Sequence, residues 1–185
     1  MGRIFIAAGH HPSAPGACFD GVCEHDIATK WVDSIAGLLG EFAVLVPSQP
    51  LKQKAAFVNA RCKKGDVAVE IHFNSAVNSQ NEHIGRGSCS LYYPGSEAGR
   101  ALAERCQEVL SAHYPPDRGE VEGWYRGDKS KGAYYFLEKT KCPAVILEPQ
   151  FIHLRDDIYE HQVSCCEKLA DMLLSAYVFE VSEES

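Results

Sequence analysis

The sequence predicts an α/β protein, a three-layer sandwich in which a twisted, mostly parallel (mixed) sheet is flanked by helices. Three observations lead there. Short apolar runs rich in β-branched residues, such as Val67 to Ile71, are too short for typical helices and read as buried strands. Between them lie stretches with apolar residues at helical spacing, as in Ile27, Trp31, Ile35 and Leu38. Several strand-like runs end in polar residues, at the edge where open α/β sheets bind ligands.

In chain order, Arg3 to Ala8 is the first strand, and the Gly- and Pro-broken loop GHHPSAPGA follows it. Glu24 opens the helix carrying Ile27 and Trp31, which Gly40 can end. Phe42 to Val46 reads as a strand, Leu51 to Cys62 as a helix and Val67 to Ile71 as the next strand. Asn78 to Gly87 reads as a loop and Ser88 to Tyr93 as a strand, a candidate for antiparallel pairing with its neighbour. Ser96 caps a helix with Leu102, Cys106, Val109 and Leu110 inward. Asp117 to Gly132 is the least structured part by pattern, and it holds Trp124, Tyr125 and Arg126. A short helix over Tyr134 to Lys139, a strand over Ala144 to Leu147 and a long helix over Asp156 to Phe179 complete the reading, with Ile158, Cys166, Leu169 and Leu173 on the helix's inner side.

The 185 residues suit one domain and are few for two, so residues 1–179 are expected to form a single catalytic-type domain with 180–185 as a frayed tail. A formal net charge of -7 argues against nucleic acid as the main partner. No apolar run is long enough to span a bilayer, and the N-terminal apolar residues read as a strand rather than a signal peptide. The chain is therefore expected to be cytoplasmic when made, without membrane insertion, and a monomer. The eight cysteines form no CxxC pair, and the compartment favours small buried thiols over disulfides.

The chemistry-bearing residues stand at strand ends. His10 follows the first strand, His72 the Val67 strand and Glu148 the Ala144 strand, while Glu24 lies at a helix start. Two imidazoles and a carboxylate are a donor set for catalytic zinc, which keeps a further position for water. A separate carboxylate then serves as general base and acid. Each residue also has a plainer reading. His10 and His11 could cap loop backbone, His72 could be a satisfied core histidine, and Glu24 could simply complement the helix dipole. Glu148 is harder to dismiss, because a carboxylate at a buried strand end is costly unless paired or bound to a metal.

Four segments resemble a known family. GHHPSAPGA is similar to the GHGG-x-DPGA-like loop of the zinc-dependent N-acetylmuramoyl-L-alanine amidases (the Amidase_3 type) of cell-wall hydrolases and phage endolysins. Gly21 to Glu24 matches its G-x-x-E, Glu70 to Asn74 its SIHAN motif, and Pro143 to Ile152 its PAVLVE-x-GF segment. Asp156 or Asp157 matches its trailing acidic position. The resemblance implies zinc held by His10, Glu24 and His72, with Glu148 as the catalytic carboxylate. It implies peptidoglycan as substrate, cut between N-acetylmuramic acid and L-alanine of the stem peptide, and an endolysin-like role acting on the wall after release. His11, Asn74 and Arg126 are the candidate substrate contacts. The chain departs from the motifs at His11, Glu70, Pro149, Gln150, His153 and Leu154. Another zinc peptidase or deacylase, and a non-catalytic peptidoglycan-binding protein on the same fold, are the competing readings.

Overall fold

The computed structural model describes residues 2–178, so the expected tail at 180–185 lies outside the described residues. The chain begins with β1 (Ile4–Ala8), then a small hairpin of β2 (Cys18–Phe19) and β3 (Val22–Cys23), then α1 (Glu24–Leu39). β4 (Ala43–Leu45), α2 (Leu51–Asn59) and β5 (Val67–Ile71) follow. A second hairpin, β6 (Ala76–Val77) and β7 (His83–Ile84), leads to β8 (Ser88–Tyr92), α3 (Glu97–Ser111) and β9 (Pro116–Glu122). The chain closes with α4 (Tyr135–Lys139), β10 (Ala144–Glu148) and α5 (Arg155–Val178).

The central sheet has six strands in the order β4-β1-β5-β10-β8-β9. The first four of these are mutually parallel. β8 runs antiparallel to β10, and β9 pairs parallel with β8 at the edge. The predicted mixed, mostly parallel sheet is thus present. The antiparallel pairing expected of the Ser88 strand is also present, but its partner is β10 rather than the strand before it.

Alternation along the strands sorts the core into two sides. Ile4, Ile6, Val67, Val69, Val145 and Leu147 pack on Trp31, Ile35, Leu102, Leu110, Leu169 and Leu173 of α1, α3 and α5. Phe5, Ala7, Ala68 and Ile146 pack on Val58 of α2 and on Phe136 and Leu137 of α4. Helices therefore cover both faces, giving three layers.

Four local expectations need correction. Residues 117–132 are not all irregular, because 116–122 form the edge strand β9. Its side chains are largely exposed and charged, so it lacks the apolar alternation that marks a strand, and Pro116 suits an edge. Residues 78–87 carry β7 of a hairpin. Leu38 is 48% exposed, and Leu39 is buried in its place. Finally, Cys18 and Cys23 form a disulfide, whereas the expected free thiols are found at Cys62, Cys89, Cys106, Cys142, Cys165 and Cys166. The Asp20-Gly21 turn places Cys18 directly opposite Cys23, with Cα atoms 4.0 Å apart, a little closer than the usual span of about 4.4–6.8 Å. Among the described residues no helix is long and apolar enough to cross a membrane.

Candidate metal centre and active site

The strand order creates the site. From β1 the chain crosses to β4 on one side, then returns through α2 to β5 on the other side of β1. β1 and β5 therefore flank a switch point, where loops diverge and leave a crevice at the C-terminal strand ends. His10 leaves β1 there and His72 leaves β5. The edge is stitched beyond the ladder proper: Gly9 N–H donates to Ile71 O at 2.7 Å, His72 N–H to Leu147 O at 2.8 Å, and Asn74 N–H to Gln150 O at 3.0 Å.

Glu24 is the first residue of α1, and it is 5% exposed. The preceding hairpin delivers it, and Glu24 N–H donates to Ala17 O at 2.8 Å. Its Oε2 lies 2.9 Å from Nε2 of His10, and its Oε1 lies 2.7 Å from Nδ1 of His72. Phe73 N–H also donates to Oε1. His10, Glu24 and His72 each offer one donor atom, and these atoms all lie within 4.8 Å of one another. His10 takes a left-handed backbone with φ 59°, a strain that tends to gather at functional sites.

The surroundings fit a bound cation. A Cβ at Gly9 would lie 2.6 Å from Nδ1 of His72, and one at Gly16 would lie 2.6 Å from Oε2 of Glu24. Both positions must stay bare for the donors to converge. Electrostatics agree. Burial alone would raise Glu24, yet hydrogen bonds from His10 and His72 bring its carboxyl down to about 2. Burial alone would lower His72, yet Glu24 and Glu70 raise it to about 10. Two carboxylates around one imidazole make a place that holds positive charge, and two nitrogens with one oxygen are a zinc-type donor set.

Glu148 is the last residue of β10. Ile146 is the register partner of Glu70, so Glu148 stands beside His72 on the same face. Burial raises its carboxyl to about 7, with Glu24 adding to the effect and His72, Arg118 and His10 opposing it. A carboxyl poised near neutrality can both accept and give a proton.

A cavity of about 310 Å³ adjoins the site, lined by His10, His11, His72, Tyr125, Tyr134 and Lys54 among others. His11 thus lies beside the candidate ligands. Asn74 is not among the lining residues, and its side-chain oxygen accepts from Ser75 N–H at 2.9 Å. The Arg126 guanidinium sits 5.5 Å from the ring centre of Tyr125, which does line the cavity.

A family profile described as N-acetylmuramoyl-L-alanine amidase matches residues 4–162. The chain belongs to the N-acetylmuramoyl-L-alanine amidase family. Its enzymatic class is accordingly that of a peptidoglycan amidase. A comparison with curated protein sequences returned no match. Among solved structures, the catalytic domain of the amidase CwlV from Bacillus (Paenibacillus) polymyxa var. colistinus has a TM-score of 0.77 at 21% identity, covering 95% of this chain and 98% of that one. An amidase from Clostridium difficile 630 has a TM-score of 0.75 at 21% identity, covering 94% and 95%. The catalytic domain of the CD27L endolysin, which targets Clostridia difficile, has a TM-score of 0.71 at 23% identity, covering 95% and 98%. At these identities the likeness is one of fold.

Two supporting residues of this family member were not singled out from sequence. His25 places its Nδ1 2.8 Å from Gly9 O, fixing the loop that carries His10. Lys54 is buried beneath the site. Neither had a signal in its neighbours, since a histidine and a lysine within helical stretches read as surface residues.

Proposed function

We propose that the chain is a zinc-dependent N-acetylmuramoyl-L-alanine amidase in which His10, Glu24 and His72 hold the metal and Glu148 is the catalytic carboxylate. The observation that carries the proposal is the convergence of those three donors at the switch point, with Glu148 on the neighbouring strand end. Bound there, zinc would supply Lewis acidity toward the scissile carbonyl and lower the pKa of a water molecule.

The chain's own residues do the rest. Glu148, ionised, takes a proton from the attacking water and passes it to the departing nitrogen of L-alanine. Arg118 acts on Glu148 through its charge and favours the ionised form. The tyrosine-lined cavity supplies apolar walls with polar tips, suited to a sugar and a short peptide together. His11, Asn74 and Arg126 are proposed as substrate contacts.

The proposal extends to one catalytic domain over residues 1–179 and to an endolysin-type role in wall lysis. The latter is supported by the fold likeness to the CD27L catalytic domain. The decisive experiment is mass spectrometry of purified peptidoglycan after incubation with zinc-loaded protein. Stem peptides bearing a free L-alanine amino terminus, with glycan strands stripped of peptide, are the expected products. Intact muropeptides from a zinc-loaded protein would instead point to a peptide-bond or acyl hydrolase, or to a binding module.

A further inference from the structure

Behind His72 lies an ion pair that the reaction above does not use. Lys54 of α2 and Glu70 of β5 are each 1% exposed. Nζ of Lys54 lies 3.0 Å from Oε1 of Glu70, and it also donates to the carbonyl of Ala8. The other oxygen, Oε2 of Glu70, lies 3.4 Å from Nε2 of His72. Desolvating two charges is expensive, and well-packed apolar residues of similar volume often serve stability as well or better. Stability alone is therefore a weak reason for this pair.

Its connections suggest a different one. Ala8 ends β1 two residues before His10, and Glu70 lies two residues before His72 on the same face of β5. One ammonium thus ties together the ends of both histidine-bearing strands. The two nitrogens of His72 face different partners, Nδ1 toward Glu24 and Nε2 toward Glu70. An imidazole that gives Nδ1 to a cation must carry its remaining proton on Nε2, and an oriented acceptor for that proton fixes both tautomer and ring plane.

We infer that Lys54 and Glu70 are a positioning pair for the metal centre: Glu70 accepts the Nε2 proton of His72 and holds Nδ1 toward the cation, while Lys54 holds Glu70 and fixes the spacing of the two strand ends. The inference rests on the reading of His10, Glu24 and His72 as metal ligands. Both line the cavity beside the site, yet neither belongs to the donor set of His10, Glu24 and His72 or serves as the acid–base group. Removing a partner of this kind typically costs 10- to 100-fold in metal affinity.

Two paired variants test it by chelator competition for zinc. Lys54→Met with Glu70→Leu replaces the pair with apolar side chains. It should bind zinc about 10- to 100-fold more weakly, while the urea midpoint of the chelator-treated protein stays at or above wild type. Lys54→Met with Glu70→Gln restores a neutral acceptor and should recover part of that affinity, the remainder being what Lys54 contributes by holding the acceptor and the strand ends. A purely structural pair would shift the midpoint and the affinity together, without recovery by glutamine, and wild-type zinc affinity in the apolar variant would overturn the inference outright.

A second readout needs no variant, should the apolar pair fail to fold. Histidine-labelled 15N spectra of the zinc-loaded wild type should show His72 protonated at Nε2, with slow exchange of that proton. Protonation at Nδ1, or free exchange at Nε2, would also overturn it. Failure of the wild-type protein to bind zinc at all is a separate result, and it would remove the metal reading beneath.

Discussion

The side-chain nitrogen of Gln150 donates to Oδ2 of Asp157 at 2.7 Å, joining the turn after Glu148 to the first turn of α5. Gln150 is fully buried, and its Oε1 also accepts from Gly87 N–H at 2.6 Å and Phe151 N–H at 2.9 Å. This one side chain braces the segment that follows Glu148, and it is Asp157, rather than Asp156, to which that segment is tied.

Replacing Gln150 with Leu should therefore be costly. Each buried polar group left without a partner costs about 1–3 kcal/mol, and at least the two backbone donors would be stranded. Urea denaturation should show a loss in that range or above. A change within about 0.5 kcal/mol, the scale of an ordinary surface substitution, would show that water or a shift of the turn replaces the glutamine.

Glu148→Gln keeps the shape of the side chain and removes its proton chemistry. Turnover on peptidoglycan should fall by about 10²- to 10⁴-fold, the usual worth of a general acid–base group, with zinc content unchanged. Amide cleavage and metal analysis on the same preparation check both halves. Activity near wild type would exclude Glu148 from the reaction.

His72→Ala and Glu24→Ala should each lose most bound zinc, since each takes one donor from the set of three. In the wild-type protein, added chelator should lower Tm, because a ligand that binds only the folded state stabilises it by mass action. A Tm indifferent to chelator would mean that His10, Glu24 and His72 are paired for structural reasons alone.

The stability of chelator-treated protein should depend on pH through Glu148. Burial, the largest cause, places its folded pKa at about 7, above the 4.5 of a freely solvated glutamate. The fold thus favours the protonated form, so the stabilising contribution is complete below about 4.5 and is lost as pH rises through about 7. Wild type should lose ground to Glu148→Gln across that window and stay behind above it. Parallel Tm curves for the two proteins would show that Glu148 is not held in a desolvated place.

The Cys18–Cys23 bridge closes a very short loop, so its removal should cost little for a disulfide, about 2 kcal/mol from chain entropy. Alkylation of unfolded protein should find six reactive thiols without reductant and eight with it. Eight without reductant would return the chain to the all-thiol expectation.

Much of this architecture was legible in the sequence because burial leaves a periodic mark. β1, β5 and β10 are apolar runs, and α1 and α3 show their inner stripes. The positions of His10, His72 and Glu148 followed from where those runs stop. Glu24 sat at a helix start, but nothing local said that it would meet His72, 48 residues away. The missed elements had other causes. β9 is an exposed edge strand stabilised by backbone pairing, with few apolar side chains to betray it. The β2–β3 hairpin did carry an Asp20-Gly21 turn, a recognised hairpin signal, and that signal would also have exposed the cysteine pairing. Lys54 was invisible because a lysine in an amphipathic stretch belongs on the surface unless the fold supplies a buried acid for it.

The backbone bonds at the crevice carry a consequence for how the molecule breathes. Gly9, His72 and Asn74 donate their amides across to residues 71, 147 and 150, so the floor of the site is an extension of the central ladder rather than a loop laid over it. Those amides are tied to the strands and should exchange with solvent more slowly than the amides of a mobile lid. Substrate must then reach a floor that is already assembled, and whatever adapts to its shape is left to the tyrosine-bearing walls.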